Sequence, residues 1–439
     1  MKIALISPRG PLYRHRTGIF KKSLRYAPLT LTTLAALVPE ELGAELLLFD
    51  EGIEEVDLDM DVDLVAISAI TGTAPRSYEL AAHYRRRGIP VVLGGVHATL
   101  VPEEAQLHAD SVVTGYAEES WPRLLRDLRQ GELKPRYHQS PTLSLAGLPR
   151  PRRDLLRLEH YFTPHTVEAT RACVHQCQFC VVPTAWGNKP LQHPVEDVVA
   201  DIEAMNARRV IFLDLNMIAD VGYAKRLFQA LIPLGIRWAG LATTMIAWDD
   251  ELLRLAARSG CRGLLIGFET ISREALQELR KGFNLHRDYH EVVQRIHDAG
   301  MAIMGTFIFG FDAHGPEAFE ATAEFVMKAN IDLPRFSILT PFPGTPLFKK
   351  LEAEGRLLTR DWGLYDGQHV VFRPARMSQE ELQLGIERVW KEVYSLGNIA
   401  RRLLGSRKML LTSLAANLGY RFYAHNLSRF YTCGEAIAA

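Results

Sequence analysis

Three of the five cysteines lie within eight residues of one another, at Cys173, Cys177 and Cys180. Spacings of four and three allow a single loop to present three thiolates to one metal centre. Soft thiolate ligands select iron–sulfur clusters or zinc. Three thiolates would leave one iron of a four-iron cluster open to another ligand, as in a catalytic centre. The spacing therefore predicts a catalytic iron–sulfur site.

Zinc is the alternative occupant of this loop, with His175 as a fourth ligand. His175 stands between two of the cysteines, and its ring could hardly reach the same ion without strain. Structural zinc sites also usually take their ligands from two separated pairs. The cysteines are too clustered for a disulfide scaffold. An iron–sulfur cluster is the favoured interpretation.

The elements that must position this loop form a regular series. From His165 to about Arg373, apolar strands alternate with helices, which predicts a partial (β/α)6 TIM barrel with its chemistry at the carboxyl ends of the strands. The cysteine loop follows the first of these strands. The predicted strands are Thr166–Ala169, Arg209–Asp214, Arg237–Ala242, Gly263–Phe268, Ala302–Phe309 and Phe336–Thr340.

A second α/β unit precedes the barrel. Strand and helix patterns in the first part of the chain predict a Rossmann-like, doubly wound parallel sheet, which binds ligands at the carboxyl ends of its strands. The predicted organisation is a Rossmann-like domain at 1–140, a linker at 141–162, the barrel at 163–375 and a helical C-terminal region at 376–439.

Charge and hydropathy exclude several classes of partner. Lysine and arginine together number 51, as do aspartate and glutamate, so no net field recruits nucleic acid. No uncharged apolar stretch is long enough for a transmembrane span. The apolar run at the N-terminus is too short for a signal peptide. We expect a cytoplasmic protein.

The cysteine loop resembles the CxxxCxxC motif of radical SAM enzymes, including the aromatic Phe179 before the last cysteine. The resemblance implies a [4Fe-4S] cluster on the three cysteines, with S-adenosylmethionine (SAM) on the open iron. Reductive cleavage of SAM would yield a 5′-deoxyadenosyl radical. The electron would come from a reductant such as flavodoxin or ferredoxin.

Further barrel residues match motifs of that family. For Asp214 and Asn216, helix capping or turn formation is an equally good interpretation. For Glu269 the functional interpretation is favoured, because an acidic residue that ends an apolar barrel strand faces the active mouth. The SAM contacts implied by the resemblance are Phe179, Asp214, Asn216, Glu269, Gly310 and Thr340.

The first domain resembles the cobalamin (B12)-binding domain of one radical SAM subclass. The matching segments are 27–31, 91–99 and 113–118, and they imply that Gly94, Gly95 and Gly115 approach cobalamin. The DxHxxG motif that supplies a histidine to cobalt elsewhere is absent, as it is from many members of the subclass. A tight turn is the alternative role of Gly94 and Gly95. His97 fits a turn or surface position better than a cobalt ligand.

Together, the two resemblances imply a cobalamin-dependent enzyme that methylates an unactivated carbon of a small-molecule or lipid substrate. The alternatives are a radical cyclase, ring-contraction or rearrangement enzyme of the same architecture, and an electron-transfer protein with a structural cluster. Tyr365 and Asp366, after the last barrel strand, are catalytic candidates by position alone.

The C-terminal stretch 396–434 is basic and aromatic, with no acidic residue. Basic amphipathic segments can bind an anionic membrane surface, so peripheral membrane contact is one expectation. The alternative is a solvated helical cap whose aromatic residues pack on the barrel.

Overall fold

The computed structural model describes residues 1–10, 23–140, 142–279, 281–285 and 288–427. Arg429, Phe430 and Tyr431 of the basic aromatic stretch lie outside these residues. No helix in the described ranges is long and apolar enough to cross a membrane.

The N-terminal unit is a parallel six-stranded sheet in the order β3-β1-β4-β5-β6-β7, with helices on both faces. Apart from its last strand, this is the flavodoxin-like order, in which the order of successive strands reverses between β1 and β4. The central strands are buried on both faces, which explains their continuous apolar runs. The elements are β1 (Lys2–Ser7), β2 (Ser23–Tyr26), α1 (Leu29–Ala36), β3 (Glu45–Asp50), β4 (Leu64–Ser68), α2 (Ala74–Arg86), β5 (Val91–Gly94), α3 (Gly95–Leu100), α4 (Pro102–His108), β6 (Ser111–Thr114), α5 (Ser120–Arg129) and β7 (Arg136–His138).

The second unit is a six-stranded parallel sheet whose strands follow chain order, from β9 through β12, β13, β14 and β15 to β16. This confirms the predicted open barrel. Its elements are β9 (Thr166–Val167), β10 (Thr170–Arg171), α6 (Val181–Trp186), β11 (Leu191–Gln192), α7 (Val195–Ala204), β12 (Arg209–Phe212), α8 (Val221–Leu231), β13 (Arg237–Ala242), α9 (Asp250–Arg258), β14 (Cys261–Glu269), α10 (Arg273–Glu278), α11 (Tyr289–Asp298), β15 (Ala302–Phe309), α12 (Glu317–Lys328), β16 (Arg335–Ile338) and α13 (Pro346–Ala353). Three helices complete the chain: α14 (Gln379–Val393), α15 (Leu396–Ser406) and α16 (Leu410–His425).

The segment predicted as a linker contains a short strand, β8 (Tyr161–Thr163), which pairs with β2 in parallel. The Tyr161 hydroxyl donates to Asp50 at 2.8 Å, and Thr166 Oγ1 donates to the Ala27 carbonyl at 3.0 Å. These buried bonds join residues more than a hundred positions apart. They fix the N-terminal unit against the first barrel strand.

A second contact between the two units surrounds Glu104 on α4. Its Oε1 accepts hydrogen bonds from the Tyr78 hydroxyl at 2.8 Å and from the Trp362 indole at 2.7 Å. His97 Nε2 lies 3.0 Å from the Tyr78 hydroxyl, and the His97 side chain is buried. The expectation of a turn or surface position for His97 was therefore wrong, because Trp362 and α4 cover it. We call these four residues the interdomain latch.

Candidate active site

The three cysteines occupy the loop between β10 and α6, at the carboxyl end of the first barrel strand. The loop is pinned by its backbone: the Cys180 amide donates to the Cys177 carbonyl at 3.1 Å, and Leu347 N donates to Gln178 O at 3.1 Å. Ala172 adopts a left-handed φ of 63°, which turns the chain out of β10. The loop is therefore held at the top of the barrel, where the spacing predicted it.

Burial, with smaller contributions from the neighbouring Cys177 and Cys173, raises the pKa of the Cys180 thiol to about 12. The same burial raises the pKa of Cys177, while the positive charge of Lys281 opposes the shift. A coordinating thiol is deprotonated by the metal itself, so a bound metal centre is what would make these three groups anionic.

No three His, Cys, Asp or Glu side chains of the described ranges are arranged around a single ion. A cubane cluster takes its thiolates at three separate corners, so its ligands need not converge on one point. His175, the fourth ligand in the zinc alternative, stacks instead on Phe283 with ring centroids 4.1 Å apart. The donor set fits a cluster held by three thiolates.

Asp214 and Asn216 follow β12 and hold the start of the cysteine loop. The buried Asp214 carboxylate accepts hydrogen bonds from the Ala169 and Thr170 amides at 3.2 and 2.5 Å. Burial raises its pKa to about 7. Asn216 Nδ2 lies 3.7 Å from the Cys173 sulfur, within reach of a weak N–H···S bond. In the structure both side chains therefore position the loop that carries the thiols.

Glu269 ends β14 with a left-handed φ of 64°, next to a register shift between β14 and β15. Its Oε1 accepts from Lys281 Nζ at 2.8 Å, and its Oε2 accepts from Thr306 Oγ1 at 3.4 Å. Lys281 Nζ also donates to the Gly267 carbonyl at 2.6 Å. The pair lies directly over Gly267, where a Cβ would come within 2.3 Å of Glu269 Oε1. This fixes one carboxylate beside the cysteine loop.

The remaining predicted SAM contacts lie around the same mouth. Phe179 packs near Phe311, with ring centroids 6.4 Å apart. Gly310 has a φ of 104°, and a Cβ there would approach Leu382 at 3.0 Å, so its backbone requires glycine. Thr340 is buried, and its hydroxyl donates to the Ile338 carbonyl at 3.2 Å.

A cavity of about 310 Å³ separates the barrel from the N-terminal sheet. Its walls are mostly apolar, with Leu213 and Leu215 on the barrel side. On the other side it is lined by the carboxyl ends of β4, β5 and β6, including Gly94, Gly95 and Gly115. The structure thus brings the three predicted glycines together, facing the barrel.

A charged cluster forms one end of this cavity. Arg171 pairs with Glu118 across the domain boundary and with Glu168 at 2.6 Å. Its guanidinium lies 4.8 Å from the ring centroid of Tyr116, which stacks on Trp186 at 5.5 Å. Glu118 Oε2 is buried without a hydrogen-bond partner among the described residues. An acceptor in that position suits a ligand that brings N–H donors.

Residues 167–326 match the radical SAM superfamily, and residues 27–125 match the B12 binding domain. The bacteriochlorophyllide d C-12(1)-methyltransferase of Chlorobaculum tepidum is 33% identical over 353 residues, which cover 78% of this chain and 77% of the relative. The C-8(2)-methyltransferase for the same compound, from the same organism, is 30% identical and covers 88% and 90% of the two chains. This chain belongs to the cobalamin-dependent radical SAM methyltransferases.

The fold of this chain agrees with this assignment. The solved structure of the radical SAM methyltransferase TsrM from Kitasatospora setae, with cobalamin and a [4Fe-4S] cluster bound, superposes with a TM-score of 0.65 at 20% identity. The match covers 80% of this chain and 78% of that one. Membership confirms the predicted cofactors, which are a [4Fe-4S] cluster, SAM and cobalamin. It decides against a zinc site and against a non-enzymatic electron carrier.

The residues of the cavity fit cobalamin. Primary amides ring the corrin macrocycle, and the unpartnered Glu118 Oε2 can accept a hydrogen bond from one of them. Gly94 leaves room at the wall, since a Cβ there would make only ordinary contacts at 3.8 Å. Gly95 and Gly115 have positive φ angles, and a Cβ on either would clash at under 3 Å. Of the two glycines for which the sequence left a turn role open, Gly95 thus has that role and Gly94 does not.

The two positional candidates lie in the loop after β16. Tyr365 is buried against Trp362 near the interdomain latch, and its hydroxyl donates to the Thr359 carbonyl at 2.6 Å. The Asp366 carboxylate accepts from the Gln368 amide at 2.9 Å and pairs with His369 Nδ1 at 2.9 Å. These contacts shape the loop that packs against the N-terminal unit.

Sequence reasoning did not find Lys281 or Arg171. Each lies in a segment without helical or strand periodicity, and its partner is distant in sequence: Glu269 is 12 residues from Lys281, and Glu118 is 53 residues from Arg171. The only signal was indirect, because Tyr116 and Glu118 belong to a segment that resembles the cobalamin-binding domain.

Proposed function

We propose that the protein transfers a methyl group to an unactivated carbon on an apolar, ring-bearing small molecule, with a chlorin-type tetrapyrrole as the substrate class. Two relatives that cover most of the chain act on one such compound at different positions. Both are methyltransferases, so they favour methylation over cyclisation or rearrangement.

The observation that carries the substrate class is an apolar barrel mouth. Val174, Leu215 and Met245 follow the carboxyl ends of neighbouring barrel strands, and 41%, 37% and 42% of their surfaces are exposed. Large apolar side chains exposed together mark a binding surface. A flat macrocycle would be held here by burial of its apolar faces.

We infer that Glu269 binds the ribose or amino group of SAM, because Lys281 and Thr306 fix its carboxylate beside the cysteine loop. The bound cluster supplies the electron that cleaves SAM. We assign Phe179, Asn216, Gly310 and Thr340 to the walls of the same SAM site. Asp214 acts through the loop backbone that it holds.

We further propose that the enzyme works in the reducing cytoplasm, because three partly buried thiols must stay reduced until the cluster is inserted. A low-potential donor of the flavodoxin or ferredoxin type would supply the electrons. A lipid is the second substrate class to test, since it would fit the same apolar mouth.

The test incubates the anaerobically reconstituted holoenzyme with methyl-labelled SAM, a reductant and either bacteriochlorophyllide d or a sterol-like lipid. We expect 5′-deoxyadenosine and a tetrapyrrole that gains one labelled methyl group, both detected by mass spectrometry. Cys177→Ala is the matched control without a complete cluster site. Label appearing only in the lipid, or 5′-deoxyadenosine without labelled tetrapyrrole, would refute the proposed substrate class.

A further inference from the structure

The last helix, α16, has an inverted distribution of polar and apolar side chains, whereas α15 buries Ile399 and Leu403 as well as one charged residue. On α16, Ser413 and Asn417 are buried, whereas Leu411, Leu414 and Leu418 are 85%, 42% and 46% exposed. On α15 the charged Arg402 is buried and Leu404 is exposed. A helix that merely caps the barrel would bury its leucines and expose its polar groups.

The buried polar groups explain how the helices are attached. Arg402 donates to the Ile331 and Asp332 carbonyls at 2.8 and 3.1 Å, and it also donates to Asn417 Oδ1 at 2.9 Å. Asn417 Nδ2 donates to the Asp332 carbonyl at 2.9 Å. Hydrogen bonds thus anchor the helices to the chain just before β16. The leucines take no part in this anchoring.

The aromatic residues of the region divide between two roles. Tyr420 and Tyr423 pack on Trp390 of α14, with ring centroids 5.7 and 5.1 Å away. This part of the stretch behaves as the predicted cap over the barrel. Phe422 is 46% exposed and stands four residues after Leu418 on α16, so it lies on the same face of the helix.

Leu411, Leu414 and Leu418 recur every three or four residues along α16, so they share one exposed face. Of the nineteen large hydrophobic side chains exposed among the described residues, eight belong to this region. Scattered surface leucines are normal, but a contiguous apolar patch marks an interaction site. We call it the leucine surface: Leu396, Leu404, Met409, Leu410, Leu411, Leu414, Leu418 and Phe422.

Charge identifies the occupant. No acidic residue occurs between Leu396 and Leu427, whereas Arg401, Arg407 and Lys408 stand beside the leucines. A two-fold contact between copies of this chain would bring these like charges together. An anionic membrane surface instead pairs with the cations and accepts the leucines at the boundary of its acyl chains.

We propose that the leucine surface docks the enzyme on an anionic membrane surface as a peripheral protein. The anchoring carbonyls of Ile331 and Asp332 precede β16, so the leucine surface lies at the amino-terminal end of the barrel. The cysteine loop lies at the opposite, carboxyl-terminal end. Docking therefore leaves the mouth and the cobalamin cavity facing away from the bilayer.

The experiment is flotation of the full-length holoenzyme with vesicles of phosphatidylcholine, alone or mixed with phosphatidylglycerol. We expect flotation with the mixed vesicles that weakens at high salt. Leu411→Ser combined with Leu418→Ser should lower the vesicle-bound to free ratio by at least about tenfold. Arg407→Gln combined with Lys408→Gln should abolish the preference for anionic vesicles.

Leu107→Ser is the matched control, because Leu107 is 76% exposed on α4 of the N-terminal unit. It should float as the wild type does, and all variants should cleave SAM at the wild-type rate, which shows that they fold. A chain truncated after Leu427 should still bind. The proposal would be overturned if the wild-type protein did not float, or if Leu107→Ser lowered flotation as much as the double leucine variant does. It would also be overturned if only the truncation abolished flotation, or if the leucines supported a dimer and no vesicle binding.

Discussion

Replacing Glu104 by glutamine tests how the N-terminal unit is held against the barrel. The substitution keeps the size of the side chain and one acceptor oxygen but removes the charge. In the interdomain latch the Glu104 carboxylate accepts hydrogen bonds from the Tyr78 hydroxyl and the Trp362 indole. His97 Nε2 lies 3.7 Å from the same carboxylate oxygen, Oε1. Hydrogen bonds to a charged group are stronger than those to a neutral one.

The magnitude follows from the pKa of Glu104. Burial alone would raise it, but the nearby His97 imidazole and the hydrogen bonds from Tyr78 and Trp362 outweigh burial and lower it from 4.5 to about 2. A fall of that size corresponds to about 3 kcal/mol of folding free energy. Because the side chain is 34% exposed, solvent screening reduces the expected loss in Glu104→Gln to about 1–2 kcal/mol.

The sign of the pH dependence is fixed by the lowered pKa. The stabilisation is fully present above the unfolded pKa of 4.5 and is lost as the pH falls toward the folded pKa of about 2. The difference in unfolding free energy between wild type and Glu104→Gln should therefore be constant near neutrality and shrink below about pH 4.5. Urea unfolding of both proteins at a series of pH values measures it.

Glu103→Gln is the control for this experiment. Glu103 is the neighbouring residue on α4, and its partner Arg136 lies 2.9 Å away at the protein surface. The exposed pair should contribute almost nothing, so this variant should unfold like the wild type. Equal stability of Glu104→Gln and wild type at neutral pH, or a difference that does not vary with pH, would refute the reasoning.

Three further substitutions test the site. Gly95→Ala should lower the free energy of unfolding by at least about 2 kcal/mol in denaturant titration, because its Cβ would lie 2.6 Å from the Ala69 carbonyl oxygen at a φ of 89°. Lys281→Met should weaken SAM binding by about tenfold in equilibrium dialysis, because Glu269 loses its charged partner. Cys177→Ala should lose most of its iron, measured by elemental analysis, because two thiolates cannot hold the cluster.

Each of these three changes has a matched control in the chain. Gly94→Ala should fold normally, since its Cβ would meet only ordinary contacts at 3.8 Å. Lys225→Met should bind SAM as the wild type does, because Lys225 pairs with Asp249 and Glu251 away from the cysteine loop. Cys261→Ala should keep its iron, because Cys261 is buried at the start of β14. A control that behaves like its test variant would contradict the corresponding reasoning.

The sequence predicted the two α/β units well because their information is local. Apolar runs such as that of β1 and the alternation along β15 depend on a few neighbouring residues, and β15 formed at the residues where it was predicted. The segment 141–162 was harder to interpret. It lacks periodicity, and its strand β8 forms only because β2, far away in the sequence, lies alongside it.

The chemistry of the cysteine loop could be inferred from a short stretch of sequence. Three thiols at fixed spacing must share one site wherever the loop lies, so the motif was sufficient to predict the cluster and the family. The resemblance of segments 27–31, 91–99 and 113–118 to a cobalamin-binding domain likewise indicated cobalamin, because such a resemblance depends on short local motifs.

The pairs of side chains that meet in the folded protein could not be inferred from the sequence. Trp362 reaches Glu104 across 258 residues, Lys281 pairs with Glu269, and the leucines of α16 face outward because Asn417 and Arg402 are buried. No local pattern encodes such pairs, because the partners are brought together by the packing of whole elements. Polar groups buried on a helix therefore reversed the orientation that its leucines alone would have indicated.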